Sequence, residues 1–354
     1  MSDKVSKDEL AETLAGFGIK DFVSAVPFGS GHINDTFKVV GKDGRACILQ
    51  RINTSIFPDP DGMMDNIRRV TEHIRSKGGH SLEVIGYSNP WRLMSFIDGA
   101  KTVEVIQEPG EARLAAGAFA RFQNMLSDLP QPRLNEILPR FHDTVNRIAL
   151  LEEAAKADVK GRLASVSREM DFVMSRRETA GRIVNALKSG EMPERITHND
   201  TKINNVMLRD ESAGGPVVID LDTTMPGSAL YDFGDMMRTS TAAAAEDERD
   251  LSKVYSKKEY FEALAQGYLA EAKFLTPAEL DCLALSGRII TLTIGIRFLT
   301  DYLAGDTYFK IDAPDHNLVR CRTQFKMVES LEAQSAEYEA IVRRIAAAEG
   351  LETN

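Results

Sequence analysis

The rhythm of apolar and polar positions changes along the chain. Up to residue 98, short apolar stretches alternate with turn residues. VSAVPFGSGHINDTFKVV, ACILQRI and WRLMSFID are set apart by Gly29-Ser30-Gly31, by Lys42-Asp43-Gly44 and by Gly78-Gly79. Short β-rich runs between such turns predict an antiparallel sheet. Two helices interrupt it. Ser6 and Glu9 have capping-box spacing ahead of a short helix that Gly16 and Gly18 end. Residues 61–77 place Met64, Ile67, Val70 and Ile74 on one helical face.

From about residue 109 the helical period dominates, predicting helices over 109–127, 163–188, 257–272, 276–304 and 320–348. The exception is 195–235, where RITHND, NNVML and PVVIDLD read as short strands between turns. The AAAAEDERD stretch at 242–250 reads as a solvated helix start. The expectation is an α+β chain: a small antiparallel-β lobe over residues 1–98 and a large, mainly helical lobe over 99–354 with a β-loop insert.

Composition narrows the function. A net charge of −10 over 354 residues argues against binding nucleic acid by phosphate neutralisation. A nucleotide stays possible, because metal ions and backbone amides can hold its phosphates. Cys47, Cys282 and Cys321 lack disulfide or metal-ligand spacing. The first residues lack a signal-type apolar core, and no segment approaches 18 uninterrupted apolar residues. These features predict a soluble cytoplasmic protein without a nucleic-acid or membrane partner; monomer and dimer remain open.

The densest chemistry is Thr197-His198-Asn199-Asp200-Thr201-Lys202-Ile203-Asn204-Asn205, followed by Val217-Val218-Ile219-Asp220-Leu221-Asp222. Phosphoryl transfer asks a protein for positioning and charge neutralisation. It needs a carboxylate facing the acceptor hydroxyl and hard oxygen ligands for magnesium. Asp200 and Asn205, five residues apart on one loop, can meet both demands. Asp220, at the end of an apolar strand, completes a metal site from the other side. Lys202 is either a phosphate contact or a solvated lysine. His198 reads as a brace of the loop, with a proton carrier as the alternative. Asp222 is open between second metal ligand, substrate contact and turn cap. Asp232-Phe233-Gly234 spells the metal triplet of protein kinases but lies 32 residues past Asp200, so Asp232 is expected to be a buried acceptor for backbone N–H groups of the loop.

In these residues the chain resembles the aminoglycoside/choline phosphotransferase superfamily, which has the two-lobed protein-kinase-like fold, and within it the bacterial N-acetylhexosamine 1-kinases. The motifs are GSGHINDTF (29–37), ILQRINTSIFPD (48–59), THNDTKINN (197–205), IDLDTTMPGSALYDFGD (219–235), EDERDLSKV (246–254), RFLTDYLAGDTYF (297–309) and HNLVRCRTQ (316–324), in order along nearly the whole sequence. The resemblance implies transfer of the ATP γ-phosphate, with Mg2+, to the anomeric hydroxyl of N-acetylglucosamine or N-acetylgalactosamine. It implies Asp200 as base and Asn205 and Asp220 as magnesium ligands. Gly29, Ser30, Gly31 and Lys202 would face the phosphates, and Met94, Phe96 and Ile97 the adenine. His32, Asn34, Arg297 and Tyr308 fall in the motifs that line the sugar pocket.

Read as residues alone, His32 suits a loop tip over the cleft or a solvent-facing turn. Arg297, in the apolar run TLTIGIRFLTDYL, needs a partner or a ligand. Tyr308 suits a sugar ring or a core position. There is one departure from the wider superfamily: where it presents a Lys or Arg on this small-lobe strand, this chain has Gln50, as the N-acetylhexosamine 1-kinases do, and strand period points Arg51 the other way. A helix carboxylate such as Glu72 then has no cation to hold. The rival readings are a kinase for another sugar, an aminoglycoside or choline, and a nucleotide-binding scaffold without catalysis. A choline site would want an aromatic cage.

Overall fold

The computed structural model describes residues 5–352, apart from 30, 32, 211 and 213. The Ser30 and His32 expectations therefore lie outside the described residues. Helix α1 (Lys7–Gly16) begins at Ser6, whose hydroxyl accepts the Glu9 N–H at 3.1 Å. Strands β1 (Phe22–Pro27), β2 (Asp35–Gly41) and β3 (Ala46–Arg51) follow, then α2 (Pro60–Ser76), β4 (Val84–Ser88) and β5 (Trp91–Ser95). The five strands make one antiparallel sheet in the order β1-β2-β3-β5-β4.

Alternation sorts the two faces of this sheet. Phe37, Val39, Cys47, Leu49, Trp91 and Leu93 pack with Leu10 and Leu14 of α1 in a small separate core. The opposite face turns to the cleft, where the cross-strand pairs are Thr36↔Gln50↔Arg92 and Lys38↔Ile48↔Met94. Arg51 points away from the cleft, as its period demands, and pairs with Asp35 and Glu9. Helix α2 buries Met64, Ile67, Val70 and Ile74.

The helical lobe begins after the short strand β6 (Lys101–Thr102) and contains α3 (Pro109–Leu126), α4 (Thr144–Ala157), α5 (Ser167–Met174), α6 (Arg177–Ala180) and α7 (Arg182–Ser189). Strands β7 (Arg195–Thr197), β8 (Val206–Leu208), β9 (Val217–Val218) and β10 (Met225–Gly227) come next. They form a β10-β7 pair and a β6-β8-β9 sheet. Then follow α8 (Ala229–Ser240), α9 (Lys258–Glu271), α10 (Pro277–Asp281), α11 (Leu283–Ala304), α12 (His316–Ala333) and α13 (Ser335–Ala348). Helix α11 is long and apolar enough to cross a membrane by composition, and 72% of its most apolar window is buried. It is the axis of the core, packed by α4, α8 and α12.

Four expectations need correction. The 276–304 run is two helices, α10 and α11, parted at Cys282. The stretch 163–188 is a 3₁₀ turn and three short helices, and α4 before it lacked an expectation. The 320–348 run is two helices, parted at Gln334, whose side chain turns aside to the Ser256 carbonyl. The 242–250 stretch is turns, with Ala242 bridged to Ser256.

Candidate active site

The site forms where two short β turns meet the first turns of α8. At the end of β7, Asn199 adopts φ 66°, and at the end of β9 Asp220 adopts φ 58°. Left-handed backbone is strained for residues with a Cβ, at a cost of about 1–3 kcal/mol each, and persists only where neighbours fix it. Here they do. Asp232, fully buried in α8, accepts the backbone N–H groups of His198 (2.8 Å) and Asn199 (2.7 Å) and the Gln123 amide (2.6 Å). The Thr201 hydroxyl donates to the Asp232 carbonyl, and the Thr201 N–H to Asp235. The expected brace role of Asp232 is present in these bonds. Burial nevertheless pushes its carboxyl up to about 6.

His198 also braces. Its Nε2 lies 2.8 Å from the Ile219 carbonyl, and its Nδ1 accepts the Asp200 N–H. The carbonyl can only accept, which assigns the neutral tautomer protonated on Nε2. Phe119 and Phe122 flank the ring edge-on. The loop after β7 is thereby fastened to the loop after β9.

Asp200, Asn205 and Asp220 converge. The Asn205 amide donates to the Asp200 carbonyl (2.8 Å) and to its Oδ2 (3.1 Å). The Asn205 carbonyl accepts the Ile219 N–H at 2.9 Å. The Asn205 side-chain oxygen is thus left free of those bonds. Asp220 is exposed at the cleft surface, yet protein crowds its carboxyl from the other sides. That desolvation, together with the charges of Asp222 and Asp200, pushes the carboxyl up to about 6. Excess negative charge of this kind invites a cation. Among the described residues no three His, Cys, Asp or Glu side chains could hold a metal by themselves. One carboxylate and one amide oxygen are a sparse, hard donor set that leaves positions for water and phosphate oxygens, which fits Mg2+.

Lys202 Nζ lies 3.2 Å from Asp200 Oδ1, with about half of its side chain exposed. Gly29 sits at φ 82° between β1 and β2, and Gly31 is exposed. Met94 is buried at the end of β5, while Phe96 and Ile97 lie in the connector beyond it. The Lys38 ammonium lies 3.8 Å from the centre of the Phe96 ring.

From α11, Arg297 projects into a ring of aromatic faces. Its guanidinium lies 5.1 Å from Phe141, 5.8 Å from Tyr308 and 5.5 Å from Phe309. Burial lowers its pKa, while Tyr308 and, more weakly, Asp200 raise it. Neighbouring Arg147, which donates to the Phe141 carbonyl, is pushed down to about 10 by burial and by Arg297. Tyr308 is 63% exposed, so it is a surface aromatic and not a core one. Its loop hangs on Asp301, which accepts the N–H groups of Thr307, Tyr308 and Phe309.

Asn34 stands differently from a free pocket residue. Its amide donates to Asp222 (2.7 Å) and its oxygen accepts the Asn53 N–H (3.0 Å). Glu72 is exposed and takes no part. Residues without an expectation also matter. His142 Nε2 holds the Asn199 carbonyl at 3.0 Å, and burial pushes that ring down to about 4. Arg92, Gln123, Asp235 and Arg238 are likewise buried supports. The sequence signal was present for Arg92 and Arg238, each a charge beside apolar neighbours, but it does not name a partner.

The model of the phosphotransferase enzyme family known as APH matches residues 24–278. This chain belongs to that family. Solved structures agree on the fold at low identity. A choline kinase from Cryptosporidium parvum aligns with a TM-score of 0.60 at 14% identity, covering 94% of this chain and 97% of its own. The ADP-bound aminoglycoside phosphotransferase APH(2'')-Ib aligns at 0.55 and 16%, covering 92% and 99%. Amicoumacin kinase hAmiN, in complex with AMP-PNP, Ca2+ and Ami, aligns at 0.57 and 14%, covering 93% and 94%. The phosphotransferase has an antiparallel-sheet N-lobe and a largely helical C-lobe, as expected.

Proposed function

We propose that this phosphotransferase uses Mg-ATP to phosphorylate the anomeric hydroxyl of an N-acetylhexosamine. The nucleotide lies between the two lobes, with its base on the Met94–Ile97 connector and its phosphates under the loop at Gly29. Asn205 and Asp220 would hold the metal ion, which would supply charge neutralisation for the transferring phosphoryl group. Asp200 orients the acceptor hydroxyl and takes its proton. Lys202, within reach of Asp200, sits beside the transferring phosphate.

The observation that carries the acceptor class is the Arg297 cluster. Two half-buried arginines, Arg297 and Arg147, stand together with aromatic rings around the Arg297 guanidinium. A polycation or a quaternary amine would meet repulsion there. A neutral acetamido sugar offers a carbonyl and hydroxyl oxygens to the guanidinium and an apolar ring face to Tyr308. An ADP-release assay over N-acetylglucosamine, N-acetylgalactosamine, glucose, choline and an aminoglycoside tests it. The acetamido sugars should exceed the cationic acceptors in kcat/KM by at least about 100-fold. Preference for choline or the aminoglycoside would overturn the reading.

A further inference from the structure

On its cleft face the third strand carries no cation, and the neighbouring strand carries Arg92. Gln50 and Arg92 are cross-strand partners on the cleft face of β3 and β5. The Gln50 amide donates to the Thr36 hydroxyl at 2.9 Å, and its oxygen accepts Arg92 Nε at 2.9 Å. Arg92 Nη1 then reaches Asp222 Oδ1 at 2.5 Å, while Asn34 donates to the other oxygen. Both members of this pair are almost without solvent, 2% exposed for Arg92 and 3% for Asp222. From α2, Nη1 meets the Met64 thioether at 3.9 Å. A guanidinium taken this far out of water is held in place by its counter-charge.

Asp222 is two residues past Asp220, whose left-handed backbone needs fixing from both sides. On the near side Ile219 bonds Asn205; on the far side the turn is fixed through Asp222 and through Thr223, whose hydroxyl donates to the His198 carbonyl. We infer that Arg92 is a positioning residue for the metal site: from β5 it ties the sheet, through Asp222, to the turn that carries Asp220. The inference rests on the cleft being a magnesium-nucleotide site. Arg92 acts through Asp222 on the ligand Asp220, without a phosphate contact of its own.

Binding of Mn2+ by the full chain with AMP-PNP, followed by the electron-paramagnetic signal of the free ion, tests this without turnover. Arg92→Gln should weaken Mn2+ binding by about 10- to 100-fold, as loss of a ligand's support does. In steady state it should leave the KM of the acceptor within about twofold. The double variant Gln50→Lys with Arg92→Gln restores a cation, on the other strand, along the path Arg92 vacates. It should recover Mn2+ affinity to within about threefold of wild type. Wild-type Mn2+ affinity in Arg92→Gln, or a loss falling on the acceptor KM alone, would overturn the assignment. If Arg92→Gln fails to melt cooperatively, the double variant decides: recovery of folding and affinity supports the link, and a folded double variant with weak Mn2+ binding overturns it. No Mn2+ binding by wild type would instead sink the nucleotide reading, and this inference with it.

Discussion

Single side chains divide the work between chemistry and support. The proposed chemistry falls to Asp200, whose carboxylate is a third exposed and held by Lys202 and Asn205. Asp200→Asn should lower kcat by about 10²–10⁴-fold, the usual worth of a positioned acid or base. The thermal shift caused by Mg-ATP should persist, and an active variant would refute the role. His142 has the support. Its ring, held down to about 4, binds a proton less readily than in the unfolded chain, where His titrates near 6.5. Stability from this group is therefore complete above about pH 6.5 and is lost as pH falls toward 4, amounting to about 3 kcal/mol. Urea denaturation should show that acid sensitivity in wild type and a flatter profile in His142→Gln.

Elements carry these residues with different legibility. Helices with a clean apolar stripe and clear ends, such as α2 with Gly78 behind it, were readable from the chain. Breaks made by tertiary contact were not. Gln334 parts α12 from α13 with neither Gly nor Pro, because its side chain is drawn to Ser256. Strand β10 has three residues, too few for a period to show. Asp200 and Asn205 were legible from their five-residue spacing, Asp220 from its place at the end of an apolar strand, and Asp232 as a carboxylate too far on for the metal triplet. Arg92 was not, since its partner is 130 positions away. The start of α8 should be the least tolerant element of the site. Asp232→Ala strips acceptors from two backbone N–H groups and the Gln123 amide, all buried. Buried donors left unpaired cost about 1–3 kcal/mol each. Denaturant midpoint and kcat should fall together; a stable, fully active variant would contradict the brace.

At the scale of the whole molecule, α2 shares the main apolar core with the helical lobe, and a further set of polar contacts from the small lobe converges on the loop after β9. Arg92 of β5 and Asn34, in the loop before β2, hold Asp222, and Asn66 of α2 donates to the Thr224 carbonyl at 3.1 Å. The loop after β9 is thus fastened to both lobes, and nucleotide binding should depend on it. Asp220→Ala should abolish the magnesium-dependent part of ATP binding by calorimetry, and unchanged affinity at saturating magnesium would count against it. The chemistry itself is tested most directly by phosphorus NMR of the product formed from Mg-ATP and N-acetylglucosamine. A phosphate resonance coupled to the anomeric proton is the predicted result. Phosphate on the 6-hydroxyl, or no sugar phosphate at all, would contradict it.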